Sequence, residues 1–385
     1  MIINRDIEKT IRLYGEKYPV IAVTGPRQSG KTTLLKTLFS DYEYVSLENP
    51  DMRSFAETDP NGFLSRYSEK VIFDEIQRIP ALFSYIQTRV DETPVMGRYI
   101  LSGSQNFHLM QSITQSLAGR VAVFRLFPFD FQELNIAGLL ADNYLEMMVR
   151  GFYPAIYDRE IPSRVFYSNY VQTYIQRDIS ELVAIKDTRL FQNFLGLCAA
   201  RAGQLLNLNS LANECGISQP TAKSWLSVLE TSYIVFQLQP FHRNFNKRIV
   251  KTPKIYFYDT GLLCYLLKIS SPDQLLTHPV KANLFENMMI AEYQKRIYHA
   301  TKFEDIWFWR DSAGHEIDLL IDDGQGISLT EIKAGMTVMP DMFDNLAWWE
   351  KISGEQNLPK KLVYGGNEHQ SRSAGEVVPW KEFGK

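Results

Sequence analysis

The stretch TGPRQSGKTT, Thr24 to Thr33, constrains this chain more than any other. It fits the pattern GxxxxGK[ST] in full through Gly25, Gly30, Lys31 and Thr32, and it follows the apolar run Val20-Ile21-Ala22-Val23. A helix-forming stretch, KTTLLKTLFS, overlaps its end. A strand, a glycine-rich turn and a helix start in that order bring backbone N–H groups together around phosphate, with the positive end of the helix dipole behind them. On those mechanics Gly25, Pro26, Arg27, Gln28, Ser29, Gly30, Lys31, Thr32 and Thr33 form the candidate cradle. Lys31 reaches the β- and γ-phosphates and the Thr32 hydroxyl faces Mg2+.

Four further runs read as strands: YEYVSLEN, KVIFDEIQ, RYILSGSQ and RVAVFRLFP. Continuous apolar segments such as Val71-Ile72-Phe73 suit strands covered on both faces, which predicts a parallel sheet with helical connectors such as ALFSYIQTRVD. KVIFDEIQ ends in Asp74 and Glu75. Asp74 is expected to hold Mg2+, and Glu75 to orient or deprotonate an attacking water. RYILSGSQNF delivers Ser102, Ser104, Gln105 and Asn106 to the same sheet edge, with Gln105 the favoured sensor of the γ-phosphate. Arg120, in SLAGR, reads either as an arginine finger, in cis or from a neighbouring subunit, or as a surface arginine.

The phosphate loop, the Asp-Glu strand, the polar sensor strand and the LAGR arginine together resemble the AAA+-type ATPases of the "ATP-binding protein" family, whose C-terminal half is a domain of unknown function. The resemblance covers nearly the whole chain. It implies ATP and Mg2+ as cofactors, hydrolysis by in-line attack of water, and a dimer or ring wherever an arginine is supplied in trans.

Beyond the ATPase segment, VFYSNYVQTYIQRDISELVAI reads as a connecting helix with an aromatic core face. In LLNLNSLANECGISQPTAKSWLSVLE, Asn209 is expected to cap a helix Ser210 to Cys215 that Gly216 ends. Ser218 then begins a second helix with Trp225, Leu226 and Leu229 on its apolar face. That is helix-turn-helix spacing, with Gln219, Thr221, Lys223 and Ser224 facing outward. Two strand-like runs follow, joined by a basic tip with Arg243, Lys247, Arg248, Lys251 and Lys254, as in a winged helix whose wing tracks a DNA backbone or an acidic protein partner.

The last third runs FENMMIAEYQKRI, DIWFWRDSAGHEIDLLID, ISLTEIKAG and MFDNLAWWEKI, an order that resembles the αβββαβ core of the PD-(D/E)xK nuclease superfamily. Glu331 and Lys333, two apart on a strand, share a face and point toward Asp318. Asp318 and Glu331 are the candidate Mg2+ ligands and Lys333 the group that stabilises charge or helps activate water, with Glu286 and Glu316 as further candidates. Loss of cleavage with retention of the fold is the standing alternative.

A net charge of −3 over 385 residues excludes a protein coated in basic charge, so nucleic-acid contact must come from a local patch. Cys198, Cys215 and Cys264 are widely separated, which disfavours a disulfide framework and suits a reducing cytosol. No run reaches the roughly 18 apolar residues of a membrane span, and a soluble cytoplasmic protein with no membrane partner is expected. The fold class is therefore α/β: a P-loop AAA+-like parallel-sheet domain (1–140), a helical connector (141–200), a winged-helix domain (201–270) and a restriction-endonuclease-like α/β domain (271–385).

Overall fold

The computed structural model describes residues 3–104, 113, 115–179, 187–242, 250–355 and 357–384. The chain forms two compact units: Met1–Phe129 with Thr231–Tyr233 and Tyr298–Thr301, and Asp130–Glu230 with Ile234–Ile297 and Lys302–Lys385.

The first unit is built on five strands, β1 (Val20–Thr24), β2 (Glu43–Ser46), β3 (Val71–Asp74), β4 (Tyr99–Gly103) and β5 (Val121–Arg125). All pair in parallel in the order β2-β3-β4-β1-β5. The continuous apolar runs have a direct cause: successive side chains alternate between two cores. Val20, Ala22, Phe73 and Leu101 pack with Leu82, Phe83 and Ile86 of the helix Leu82–Glu92 on one face. Ile21, Val23, Ile72 and Ile100 pack with Leu34, Leu35 and Leu38 of the helix Lys31–Leu38 on the other.

β4 lies between β1 and β3, with Ser102 in register with both Val23 and Asp74. This interleaving brings the phosphate loop, at the carboxyl end of β1, near the acidic end of β3 and sets a serine between them.

The second unit contains the helices Leu208–Cys215 and Gln219–Thr231, then β6 (Val235–Leu238) and β7 (Lys254–Phe257), an antiparallel pair. Gly216 ends the first helix in the left-handed region (φ 72°), as expected. The cap is Asn207, whose side chain accepts from the Ser210 N–H at 3.0 Å; Asn209 lies inside the helix, which starts two residues earlier than its sequence suggested. Ala222, Trp225, Leu226 and Leu229 form the buried face of the second helix. In the expected connector, the described residues Phe166, Tyr167, Tyr170 and Tyr174 are buried, a core role, although the backbone shifts to a π-helix at Val171–Ile179.

The same unit ends in a six-stranded sheet of β8 (Asp305–Arg310), β9 (Glu316–Asp322), β10 (Ile327–Lys333), β11 (Lys360–Tyr364), β12 (Gln370–Arg372) and β13 (Gly375–Pro379), in the order β12-β13-β11-β10-β9-β8. β8, β9 and β10 are antiparallel, whereas β10, β11 and β13 run parallel. With the helix Lys281–His299 before β8 and Asp344–Ser353 before β11, the element order is helix, three strands, helix, strand. Its core includes Trp309 set edge-on to Trp349, with ring centroids 5.1 Å apart.

The main segment of the first unit ends at Phe129, and the connector, helix pair and last sheet all belong to the second unit. The joining contacts are long-range: past β6, the Phe241 N–H donates to the Phe308 carbonyl at 2.7 Å and the Phe308 N–H to that of Gln239 at 3.2 Å, so the ribbon continues onto the edge of the six-stranded sheet.

Gly25 shows how tightly the first unit closes on its loop. With φ +154°, its position leaves a Cβ only 2.1 Å from the Leu126 carbonyl oxygen. Gly25→Ala is expected to cost about 3 kcal/mol or more in denaturant unfolding of the full chain; a decrease under about 0.5 kcal/mol contradicts the close approach.

Candidate functional site

The phosphate loop is shaped by its backbone. Gly30 is left-handed (φ 95°) at the start of the helix Lys31–Leu38, and Gln28 also has positive φ (64°). Arg5 braces the loop, donating to the Ser29 carbonyl at 3.0 Å and the Phe127 carbonyl at 2.6 Å. Lys31, only 6% exposed, donates to the carbonyls of Gly25 (2.9 Å) and Pro26 (2.8 Å). Burial pulls its pKa down to about 8 against the opposing pull of Glu75 and Asp74.

Asp74 collects three hydroxyls. Its Oδ2 accepts from Thr32 at 3.0 Å and from Tyr44 at 2.6 Å, and its Oδ1 from Ser102. Burial and the Asp74 bond raise the Tyr44 pKa, so the phenol remains a donor. Carboxylate and hydroxyl oxygens are the donor set of a hard cation, and the Ser29 hydroxyl, fully buried in the loop, has no hydrogen-bond partner among the described residues. These residues fit a Mg-nucleotide: Thr32 and Asp74 would hold the ion, which supplies charge neutralisation on the phosphates.

Glu75 sits beside Asp74 in a left-handed conformation (φ 56°), a strained arrangement of the kind found at functional sites. Its Oε2 accepts from Ser104 at 3.1 Å and from Gln77. Gln105 and Asn106 lie outside the described residues; the strand's contribution to the site comes from Ser102 and Ser104. Sequence reasoning missed Tyr44, Arg5 and Gln77. Arg5 and Tyr44 carry no local motif, while Gln77 was legible only as the end of KVIFDEIQ.

Arg120 stands elsewhere. Its carbonyl accepts from the Val20 N–H, at the amino end of β1, so the length of a strand, roughly 16 Å, separates it from the phosphate loop. Its guanidinium grips Asp91 through Nε and Nη2. This corrects the cis reading of Arg120: parallel strands begin at one edge and present their ligand loops at the other.

In the second unit, Glu286, Glu316 and Asp318 each place an oxygen within 4.8 Å of the others. Glu331 accepts from Lys333 at 2.5 Å and from Asn345 at 3.3 Å. Asp318 accepts the Ile332 N–H at 2.7 Å, and Lys333 stands 3.8 Å away. Burial, then Glu331 and Glu286, raise the Asp318 pKa well above the carboxylate range; burial likewise raises Glu331. Burial works against the Lys333 ammonium, but Asp318 and Glu331 outweigh it and its pKa rises.

Lys254 overturns its assignment to a basic wing. It is 2% exposed and bonded to Glu286 and Glu316, because it opens β7 and turns inward. Lys223 and Lys251 are exposed; Arg243, Lys247 and Arg248 lie outside the described residues. Cys198, Cys215 and Cys264 are buried and free, and among the described residues no helix is long and apolar enough to cross a membrane.

Residues 17–135 match the family model described as AAA domain. Residues 141–273 and 281–383 match two models, each described as a domain of unknown function, DUF8612 and DUF4143. The chain is 29% identical over 327 residues to "Uncharacterized protein Rv2008c" of Mycobacterium tuberculosis and to "Uncharacterized protein Mb2031c" of Mycobacterium bovis, covering 84% of this chain and 72% of each relative. Among solved structures, the Walker-type ATPase PABY2304 of Pyrococcus abyssi superposes with a TM-score of 0.45 at 14% identity, over 69% of this chain and 96% of that one.

The Lys31 geometry predicts a proton linkage. In the nucleotide-free protein the amine loses its proton above about pH 8, and bound phosphate favours its return. ATP affinity should therefore fall as pH rises through about 8. Calorimetry at about pH 9, in buffers of different ionisation enthalpy, should show proton uptake on ATP binding that is absent near pH 7. No uptake at the higher pH contradicts the assignment. The match of residues 17–135 to the AAA domain model and the loop geometry both support a P-loop ATPase of the AAA type.

Proposed function

We propose that this chain is a Mg2+-dependent ATPase whose nucleotide state biases DNA binding by its second unit. The observation that carries the catalytic part is the pair Asp74 and Glu75, the first bonded to Thr32 of the loop and the second held by Ser104. Lys31 exchanges the carbonyls of Gly25 and Pro26 for the β- and γ-phosphates. Glu75 takes a proton from water as its oxygen attacks the γ-phosphorus and the bond to the bridging oxygen breaks, with inorganic phosphate and ADP leaving. Arg120, on the far edge of its own sheet, acts on a neighbouring subunit's nucleotide in a homo-oligomer. Lys31→Ala is expected to abolish nucleotide binding. Glu75→Gln is expected to keep it while turnover falls roughly 10²–10⁴-fold; normal hydrolysis by this variant would refute the base assignment.

The DNA role is supported by the helix Leu208–Cys215, the turn at Gly216, and a second helix exposing Gln219, Lys223 and Ser224, with Lys251 exposed beside β7. These residues offer hydrogen bonds to phosphate without a strongly basic surface. The reading is of a switch rather than a nuclease, because Lys254 occupies the carboxylate cluster that cleavage requires. Salt-dependent DNA retardation is expected. Neutralising Lys223 and Lys251 should weaken it across sequences and flatten the salt slope by about 1 for every phosphate that is no longer neutralised, whereas no binding at low salt removes DNA from the proposal.

A further inference from the structure

The carboxylates expected to hold a metal in the second unit already share a cation. Lys254 Nζ lies 2.8 Å from Glu286 Oε1 and also bonds Glu316, two of the three residues whose oxygens converge with Asp318. Its amine is sealed in, with a side chain 3% exposed and the Phe308 ring centroid 5.5 Å away. Tyr256, two residues along β7, donates to the same Glu286 oxygen at 2.6 Å. On the other side of the cluster Arg310 bonds Glu316 at 3.0 Å and Lys333 bonds Glu331 at 2.5 Å. Four carboxylates therefore face Lys254, Arg310 and Lys333.

Magnesium demands near-ideal octahedral oxygen ligation at roughly 2.0–2.1 Å, with the ligands free to turn their lone pairs toward it. Here Glu286 Oε1 is taken by Lys254 and Tyr256 and the two Glu316 oxygens by Lys254 and Arg310, and a dication beside that buried ammonium would meet its repulsion at close range. The residues present do not fit a metal as arranged. We infer that Lys254 is the resident cation of this pocket: it holds the Glu286 and Glu316 oxygens that a divalent ion bound with Asp318 would need, and the wild-type chain binds no such ion there. Removing the amine leaves the carboxylates unneutralised, and a divalent ion is then the species that restores the balance. The inference does not depend on the ATPase reading, since it concerns residues outside the AAA domain.

Mn2+ alone, without nucleotide, tests it on the full-length chain by electron paramagnetic resonance of the free ion. Wild type and Asp318→Asn should take up the same amount of Mn2+. Lys254→Met should take up one further ion per chain, and Lys254→Met with Asp318→Asn should lose that gain. Uptake by wild type that Asp318→Asn removes would overturn the inference, as would folded Lys254→Met that binds no more than wild type. Where Lys254→Met fails to fold by near-ultraviolet circular dichroism, the comparison of wild type with Asp318→Asn decides: equal uptake supports the inference and Asp318-dependent uptake overturns it.

Discussion

Asp74 is the interaction on which the first unit's chemistry depends. Three hydroxyls from three separate elements, Thr32 of the loop helix, Tyr44 of β2 and Ser102 of β4, converge on one buried carboxylate. They do so because β4 is interleaved between β1 and β3, so that the loop strand and the acidic strand are second neighbours. A hydrogen-bonded carboxylate in a low-dielectric surround is held in one orientation. Adjacent Glu75, in its strained conformation, is held separately, by Ser104 and Gln77.

What was legible in the sequence follows from the range of the forces involved. The central strands β1, β3 and β4 were readable because each is a local apolar run buried on both faces, and the phosphate loop because glycine, lysine and threonine act within nine residues. Asp74 and Glu75 were readable as the end of such a run. The Arg120 edge was not: only the strand order shows that a residue preceding β5 lies a strand's length from the loop after β1. Tyr44 escaped for the same reason, since nothing near it in sequence marks a partner 30 residues away. The cap is Asn207 rather than Asn209, because the Asn207 side chain takes the Ser210 N–H and the helix starts at Leu208.

Lys254 is the clearest instance of tertiary context overriding composition. Among Arg243, Lys247, Arg248 and Lys251 it looks like one more cation on a hairpin. Yet it begins β7, and the strand's alternation sends it inward, where Glu286 and Glu316 stand 32 and 62 positions farther along the chain. The order helix, three strands, helix, strand was anticipated correctly as an element order, but the electrostatic content of the cluster depended on a strand outside it. Leaving a buried cation of this kind unpaired carries a severe penalty.

Lys31 carries a different lesson about how a loop of this kind is kept ready. Its amine has already been stripped of water and parked on two main-chain oxygens, so dehydration of that charge is borne during folding and not at the moment of capture. On the proposed ATPase reading, an arriving triphosphate would trade one set of oxygen acceptors for a more negative set, with no collapse of the cradle when product leaves.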